Sequence, residues 1–173
     1  MTAFLVVGYK TMDLNIFSDK DPKVNIIKKA IKKDLVQLFE DGVNWLIFQG
    51  NLGFESWCLE VALELKQEYD VQLACIFPFA DHGQSWSESN QMILAKFRQL
   101  DYVNHSFASY SQPSQLSQHQ DFLLNNSQGV YLFYDSEHET KLRYFVKAVK
   151  ERAGYDIKQL DFERLNELAQ EES

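Results

Sequence analysis

The sequence predicts an α/β fold: a doubly wound, mostly parallel sheet with helices on both faces. Two observations predict it. Short runs of consecutive apolar residues alternate along the chain with longer stretches of helical periodicity, the pattern left by strands buried on both faces. Three of only seven glycines, Gly8, Gly50 and Gly53, fall where such runs end. At 173 residues the chain suits one domain, and a chain near that size buries roughly 70% of its unfolded surface.

Ala3-Phe4-Leu5-Val6-Val7 reads as the first strand, ending at Gly8. Pro22 opens a helix, where its missing N–H is not needed. Val24, Ile27, Ile31, Leu35 and Leu38 form its apolar face through about residue 40, and Gly42 is the stop. Trp45-Leu46-Ile47-Phe48 is the second strand and runs into Gly50-Asn51-Leu52-Gly53. A helix over about 54–69 follows, with Cys58, Ala62, Leu65 and Tyr69 on one face. Val71 to Phe77 is a third strand, closed by Pro78, and residues 79–90 are polar and irregular. Ile93, Phe97 and Leu100 mark the next helix, and Tyr102 to Phe107 a short strand. The Ser- and Gln-rich stretch 109–120, with Pro113, reads as a loop leading to a helix. Gly129 to Tyr134 is a strong strand with Asp135 at its end. Leu142, Phe145, Val146 and Val149 give a helix, Tyr155-Asp156-Ile157 an edge strand, and Leu165 and Leu168 a terminal helix, with residues 171–173 frayed.

Composition narrows the function classes. Apolar residues make up 45% of the chain, enough for a core and against disorder. No run approaches the ~20 apolar residues of a membrane span, and the N-terminus lacks the basic region and cleavage site of a signal peptide. A soluble, cytoplasmic protein is expected. Cys58 and Cys75 read as two buried thiols rather than a disulfide framework. The net charge of −8 opposes general nucleic-acid binding, which depends on phosphate neutralisation. Lys20, Lys23, Lys28, Lys29, Lys32 and Lys33 concentrate positive charge over residues 20–33, mostly on the first helix, as a solvated face or as a surface for an acidic partner.

Chemistry in an open α/β sheet sits outside the carboxyl ends of the strands, near the point where strand order reverses. That rule selects Gly8-Tyr9-Lys10, Gly50 to Glu55, Pro78 to Trp86, and Asp135. Glycines at 50 and 53 let the backbone turn sharply and approach a phosphate, while the following helix directs N–H groups into the same space. A purely structural turn would use the same glycines. Glu55, in the first helical turn, either complements the helix dipole or accepts hydrogen bonds from ribose hydroxyls; beside a phosphate it would be repulsive. Lys10 can place a charge over the cleft and Tyr9 can stack on a base. Trp57 reads as core or as an aromatic wall, Trp86 as a ligand-facing or lid residue, and Asp135 as a polar contact or a helix cap. His82, His119, His105 and His138 have no metal-ligand spacing, and no Walker A loop, GxGxxG fingerprint or GxSxG elbow occurs.

Together, Gly8-Tyr9-Lys10, Gly50-Asn51-Leu52-Gly53-Phe54-Glu55-Ser56-Trp57, Pro78-Phe79 with Trp86, and Tyr134-Asp135 resemble the YpsA family of Firmicutes over almost the whole chain. That family belongs to the SLOG superfamily of Rossmann-like domains, whose members include DprA and the LOG phosphoribohydrolases. The resemblance implies a pocket for a nucleotide derivative, ADP-ribose or an NAD-related molecule, with importance for the positions of Gly53 and Glu55. It also implies a link to bacterial cell division through a protein partner or self-association. The LOG signature Pro-Gly-Gly-x-Gly-Thr-x-x-Glu is absent, which weakens a nucleotide N-glycoside hydrolase using Glu55. DprA-like single-stranded DNA binding expects a basic groove and ranks last. Binding without catalysis is the leading expectation.

Overall fold

The computed structural model describes residues 1–171. Its six strands form one fully parallel sheet: β1 (Ala3–Gly8), β2 (Trp45–Phe48), β3 (Gln72–Phe79), β4 (Tyr102–Phe107), β5 (Gly129–Phe133) and β6 (Asp156–Leu160), in the order β4-β3-β2-β1-β5-β6. Six helices connect or follow them: α1 (Pro22–Glu40), α2 (Phe54–Leu65), α3 (Glu88–Arg98), α4 (Ser114–Asn125), α5 (Leu142–Lys150) and α6 (Phe162–Glu171). This is the Rossmann-like arrangement expected. The chain builds outward from β1 through β2, β3 and β4, then crosses back to β5 on the other side of β1. With right-handed crossovers, that reversal sends α4 and α5 to the opposite face from α1 and α2. Contacts of α1 with both α2 and α6 place α6 on the first face.

The apolar runs explain the sheet. Leu5, Val6, Leu46, Phe48, Leu73, Cys75, Val130, Tyr131, Leu132 and Phe133 are all nearly inaccessible, as strands covered on both sides require. Asp21 caps α1 by accepting from the Lys23 N–H at 3.0 Å, with Pro22 in the first position. The predicted stripe Val24, Ile27, Ile31, Leu35 and Leu38 is buried, and Asp34 is buried with it. Asp34 is held by Arg164 from α6, by the Tyr131 hydroxyl at 2.5 Å and by Lys158 at 4.0 Å. The lysine-rich face is partly neutralised, with Lys28 paired to Glu60 and Lys33 to Glu171 at 3.6 Å.

The boundaries shift in several places. The helix expected over 54–69 ends at Leu65; the next residues form turns that let Tyr69 pack on Phe39. Pro78 does not close β3. The ladder continues to Phe79 opposite Phe107, and the Ala80 N–H reaches the Phe107 carbonyl at 2.8 Å; a proline near a strand's end forfeits only one donor. The stretch read as a loop at 109–120 is helical from Ser114 onward. There Gln115, His119, Leu123 and Leu124 form a buried stripe of helical spacing, and glutamine itself favours helix. Of the segment 171–173 expected to fray, Glu171 ends α6, and residues 172–173 lie outside the described residues. No helix among the described residues is long and apolar enough to cross a membrane.

Candidate functional site

A cleft of about 790 Å³ opens at the carboxyl ends of the central strands. Its lining comes from segments far apart in sequence: Gly8 at the end of β1 and Lys10 after it, Gln49, Asn51 and Glu55 after β2, Pro78 and His82 at the end of β3, His119 on α4, and Thr140 and Lys141 before α5. It therefore straddles the β1–β5 boundary, where the strand order reverses, the location expected for ligands in open α/β sheets.

The floor is the loop between β2 and α2. Gly50 and Gly53 both have φ near +90°, where a side chain is strained. A Cβ on Gly53 would lie 2.6 Å from the Tyr9 carbonyl oxygen and 2.8 Å from the Lys10 Cα. The loops after β1 and β2 are thus in direct backbone contact, and the Phe54 N–H donates to that same Tyr9 carbonyl at 3.0 Å. Ser56 Oγ accepts from the Gly53 N–H at 3.0 Å and returns a hydrogen bond to the Gly53 carbonyl at 2.8 Å.

Glu55 is 97% shielded from solvent on this floor. Its Oε1 accepts from the backbone N–H groups of Gln49 at 2.6 Å and Gly50 at 3.2 Å, and Oε2 accepts from the Asn51 side-chain amide at 2.7 Å. The loop amides expected to face a phosphate are therefore already engaged by an internal carboxylate. Burial pushes the Glu55 carboxyl up to about 7, with the hydrogen bonds from Gln49, Asn51 and Gly50 pulling the other way. Its partners are neutral dipoles rather than cations.

Two histidines flank this floor. His82 Nε2 lies 2.9 Å from the Gly50 carbonyl, and burial lowers its pKa, reinforced by the charges of Lys10 and Arg98. His119 is buried, with Nε2 3.1 Å from Gln49 Oε1 and Nδ1 2.6 Å from Ser106 Oγ. Burial, with His82 nearby, brings its pKa down to about 4, so the ring is neutral at pH 7. A neutral ring donating from Nε2 and accepting at Nδ1 satisfies both contacts, and it engages the Gln49 carbonyl while leaving that amide nitrogen to donate. Among the described residues no group of His, Cys, Asp and Glu is placed to hold a metal ion.

Several residues singled out from sequence lie elsewhere. Tyr9 cannot stack on a base: it is fully buried among Phe133, Tyr134, His138 and Phe162. Its hydroxyl donates to the carbonyl of His138 at 2.7 Å and accepts from the Asp135 N–H at 2.8 Å, so it joins the loops after β1 and β5. Trp57 is a core residue on α2 and forms no wall of the cleft. The Asp135 carboxylate accepts from the N–H groups of Glu137 at 2.9 Å and Phe162 at 3.1 Å, a capping role for α6 that turns it from the cleft. Leu52 is half-buried outside the lining. Trp86 stands behind His82, edge to face at 5.2 Å, and buttresses the cleft rather than lining it. Gly8, Lys10, Asn51, Glu55 and Pro78 do line it, while Gly50 and Gly53 shape its floor. His82 falls within the stretch Pro78 to Trp86 selected at the end of β3, whereas Gln49, His119, Thr140 and Lys141 were not legible as site residues, because nothing in their local spacing sets them apart from ordinary polar residues.

The family model described as the YspA SLOG family, YpsA, matches residues 4–165. A UPF0398 protein of Streptococcus agalactiae serotype Ia is 53% identical over 170 residues, covering 98% of this chain and 99% of its own length. A UPF0398 protein of Streptococcus pyogenes serotype M12 is 52% identical with the same coverage of both chains.

Proposed function

The chain belongs to the YpsA family of SLOG proteins, and from that premise we propose that it binds a nucleotide derivative, ADP-ribose or an NAD-related molecule, as a sensor or regulator linked to bacterial cell division. The observation that supports this reading most is the cleft of about 790 Å³ over the strand-order reversal. Its volume lies within the ~300–1,000 Å³ of small-molecule sites. The regulatory role extends the family resemblance: ligand occupancy alters the loops around the cleft and hence a surface that a partner, or a second copy, reads.

Thermal unfolding with ADP-ribose, NAD, AMP, ADP and ATP tests the binding step. A true ligand at about 100 times its dissociation constant adds roughly 2.7 kcal/mol, a rise of about 5–10 °C for a domain this size. The expected result is a rise with one class of compound that is lost in Glu55→Gln. If no compound shifts the transition, the glycine loop is only a turn and the binding reading fails.

A second reading, N-glycoside hydrolysis, draws on the proton that Glu55 keeps up to about pH 7, the state a general acid needs. Both Glu55 oxygens already hold the loop, which favours binding without turnover. Release of free base from AMP or ADP-ribose by the pure protein would reverse that preference.

A further inference from the structure

Building on the nucleotide-binding reading, we propose that the cleft takes a nucleoside diphosphate group in one orientation: phosphates against Lys10, Thr140 and Lys141, sugar hydroxyls on the floor at Asn51 and Glu55. The orientation inverts the usual expectation for this architecture, in which the phosphate sits on the glycine loop and the start of the next helix.

The floor is closed to a phosphate for two reasons. Four of its amides are taken, those of Gln49 and Gly50 by Glu55, that of Gly53 by Ser56 Oγ and that of Phe54 by the Tyr9 carbonyl. The Glu55 carboxyl that takes two of them offers a phosphate no positive charge, and above about pH 7, where it is ionised, it repels a second anion, a repulsion weakly screened in a buried site. Nor do the neighbouring rings supply charge: burial keeps both His82 and His119 toward their neutral forms. What remains on the floor is neutral hydrogen-bonding capacity suited to hydroxyls: the Asn51 amide, the remaining lone pairs of Glu55, and the Gln49 amide nitrogen set by His119.

The facing wall has the opposite character. Lys10 and Lys141 both line the cleft, from the loop after β1 and the segment entering α5. Their ammonium groups make no ion pair among the described residues. Thr140 Oγ1 accepts from the Leu142 N–H at 3.1 Å, which leaves its own O–H to donate. Among the described residues the acid lining this side of the cleft is Asp13, whose Oδ2 accepts from the Lys10 N–H at 2.8 Å. Two mobile ammonium groups and a hydroxyl are an apt set of donors for two adjacent phosphates.

Titration calorimetry of wild type and the Lys10→Gln/Lys141→Gln double variant with ADP-ribose and adenosine tests the orientation. Both lysines are exposed, and equal melting temperatures check that the fold is kept. The expected result is ADP-ribose affinity at least tenfold weaker in the double variant, with adenosine affinity unchanged. The wild-type affinity for ADP-ribose should also fall with added salt, and the variant's should fall less. Unchanged ADP-ribose affinity in the double variant overturns the orientation and leaves the binding reading standing. Equal losses for both ligands overturn it too, since the lysines would then be shaping the cleft. Failure of the wild type to bind either compound overturns the orientation together with the reading on which it rests.

Discussion

Among the described residues two carboxylates are buried, and they are buried in different company. Asp34, in the middle of α1, meets a guanidinium, an ammonium and a phenol. Glu55, at the start of α2, meets two backbone amides and a side-chain amide, with no cation among its hydrogen-bond partners. Asp34 lies beneath α6, far along the helix from the strand ends, and joins α1, β5, β6 and α6 into one unit. Glu55 lies on the floor of the cleft and holds a loop in shape. A charge fixed by opposite charges is a fastening. A charge held by dipoles alone, in a cleft, is adjustable, and the site is where such adjustability has a use.

The contrast is sharpest in stability. Removing Asp34 strands Arg164 and leaves the Tyr131 hydroxyl without its partner, a loss of about 3–5 kcal/mol by analogy with other broken buried pairs. Asp34→Ala should melt roughly 6–15 °C below wild type. A change under about 2 °C would show the cluster to be dispensable and the contrast empty.

Acidity gives the next largest effect. Below about pH 4.5, the ordinary value for a glutamate, Glu55 is protonated in both folded and unfolded chains. Between there and about 7 the unfolded chain releases this proton while the folded protein retains it. The folded state therefore loses stability as pH rises through that window, by about 3 kcal/mol, and the slope ends above it. Urea unfolding at pH 5 and pH 7.5 should show this loss in wild type but not in Glu55→Gln. Parallel pH dependences in the two proteins would mean that Glu55 is no more proton-retentive than a surface acid.

A smaller effect separates the backbone of the loop from its charge. Gly53→Ala puts a methyl group against the Tyr9 carbonyl in a backbone conformation that alanine resists. Destabilisation by about 2 kcal/mol is expected, equal at pH 5 and pH 7.5, because the carboxyl is untouched. If Gly53→Ala instead altered the pH slope in a urea titration, loop shape and Glu55 protonation would be one property.

These two carboxylates also mark what could be read in the sequence. The strands at Ala3–Gly8, Trp45–Phe48 and Gly129–Phe133 are continuous apolar runs, and continuity is a local signal. Glu55 drew attention because it follows two glycines at a strand end. Asp34 did not, for a charged residue inside an apolar stripe declares itself only when Arg164, 130 residues on, arrives to pair with it. The same limit hid His119 and Gln49, 70 residues apart yet hydrogen-bonded. Tyr9 and Asp135 were placed at the right end of the sheet, but sequence does not say which way a side chain turns: Tyr9 turned into the core and Asp135 toward the start of α6. Strand order was equally beyond local reading, since it depends on the long crossover from β4 to β5.

Cys58 and Cys75 belong to the core. Both are completely shielded, one on α2 and one on β3, and burial together with the negative charge of Glu55 drives their thiols well above the ordinary range. Neither can react with an alkylating reagent until the packing beside Glu55 opens. Their labelling rate is thus a clock built into the chain: it counts openings of the core, and a molecule that settles in the cleft and stabilises the folded protein should slow it.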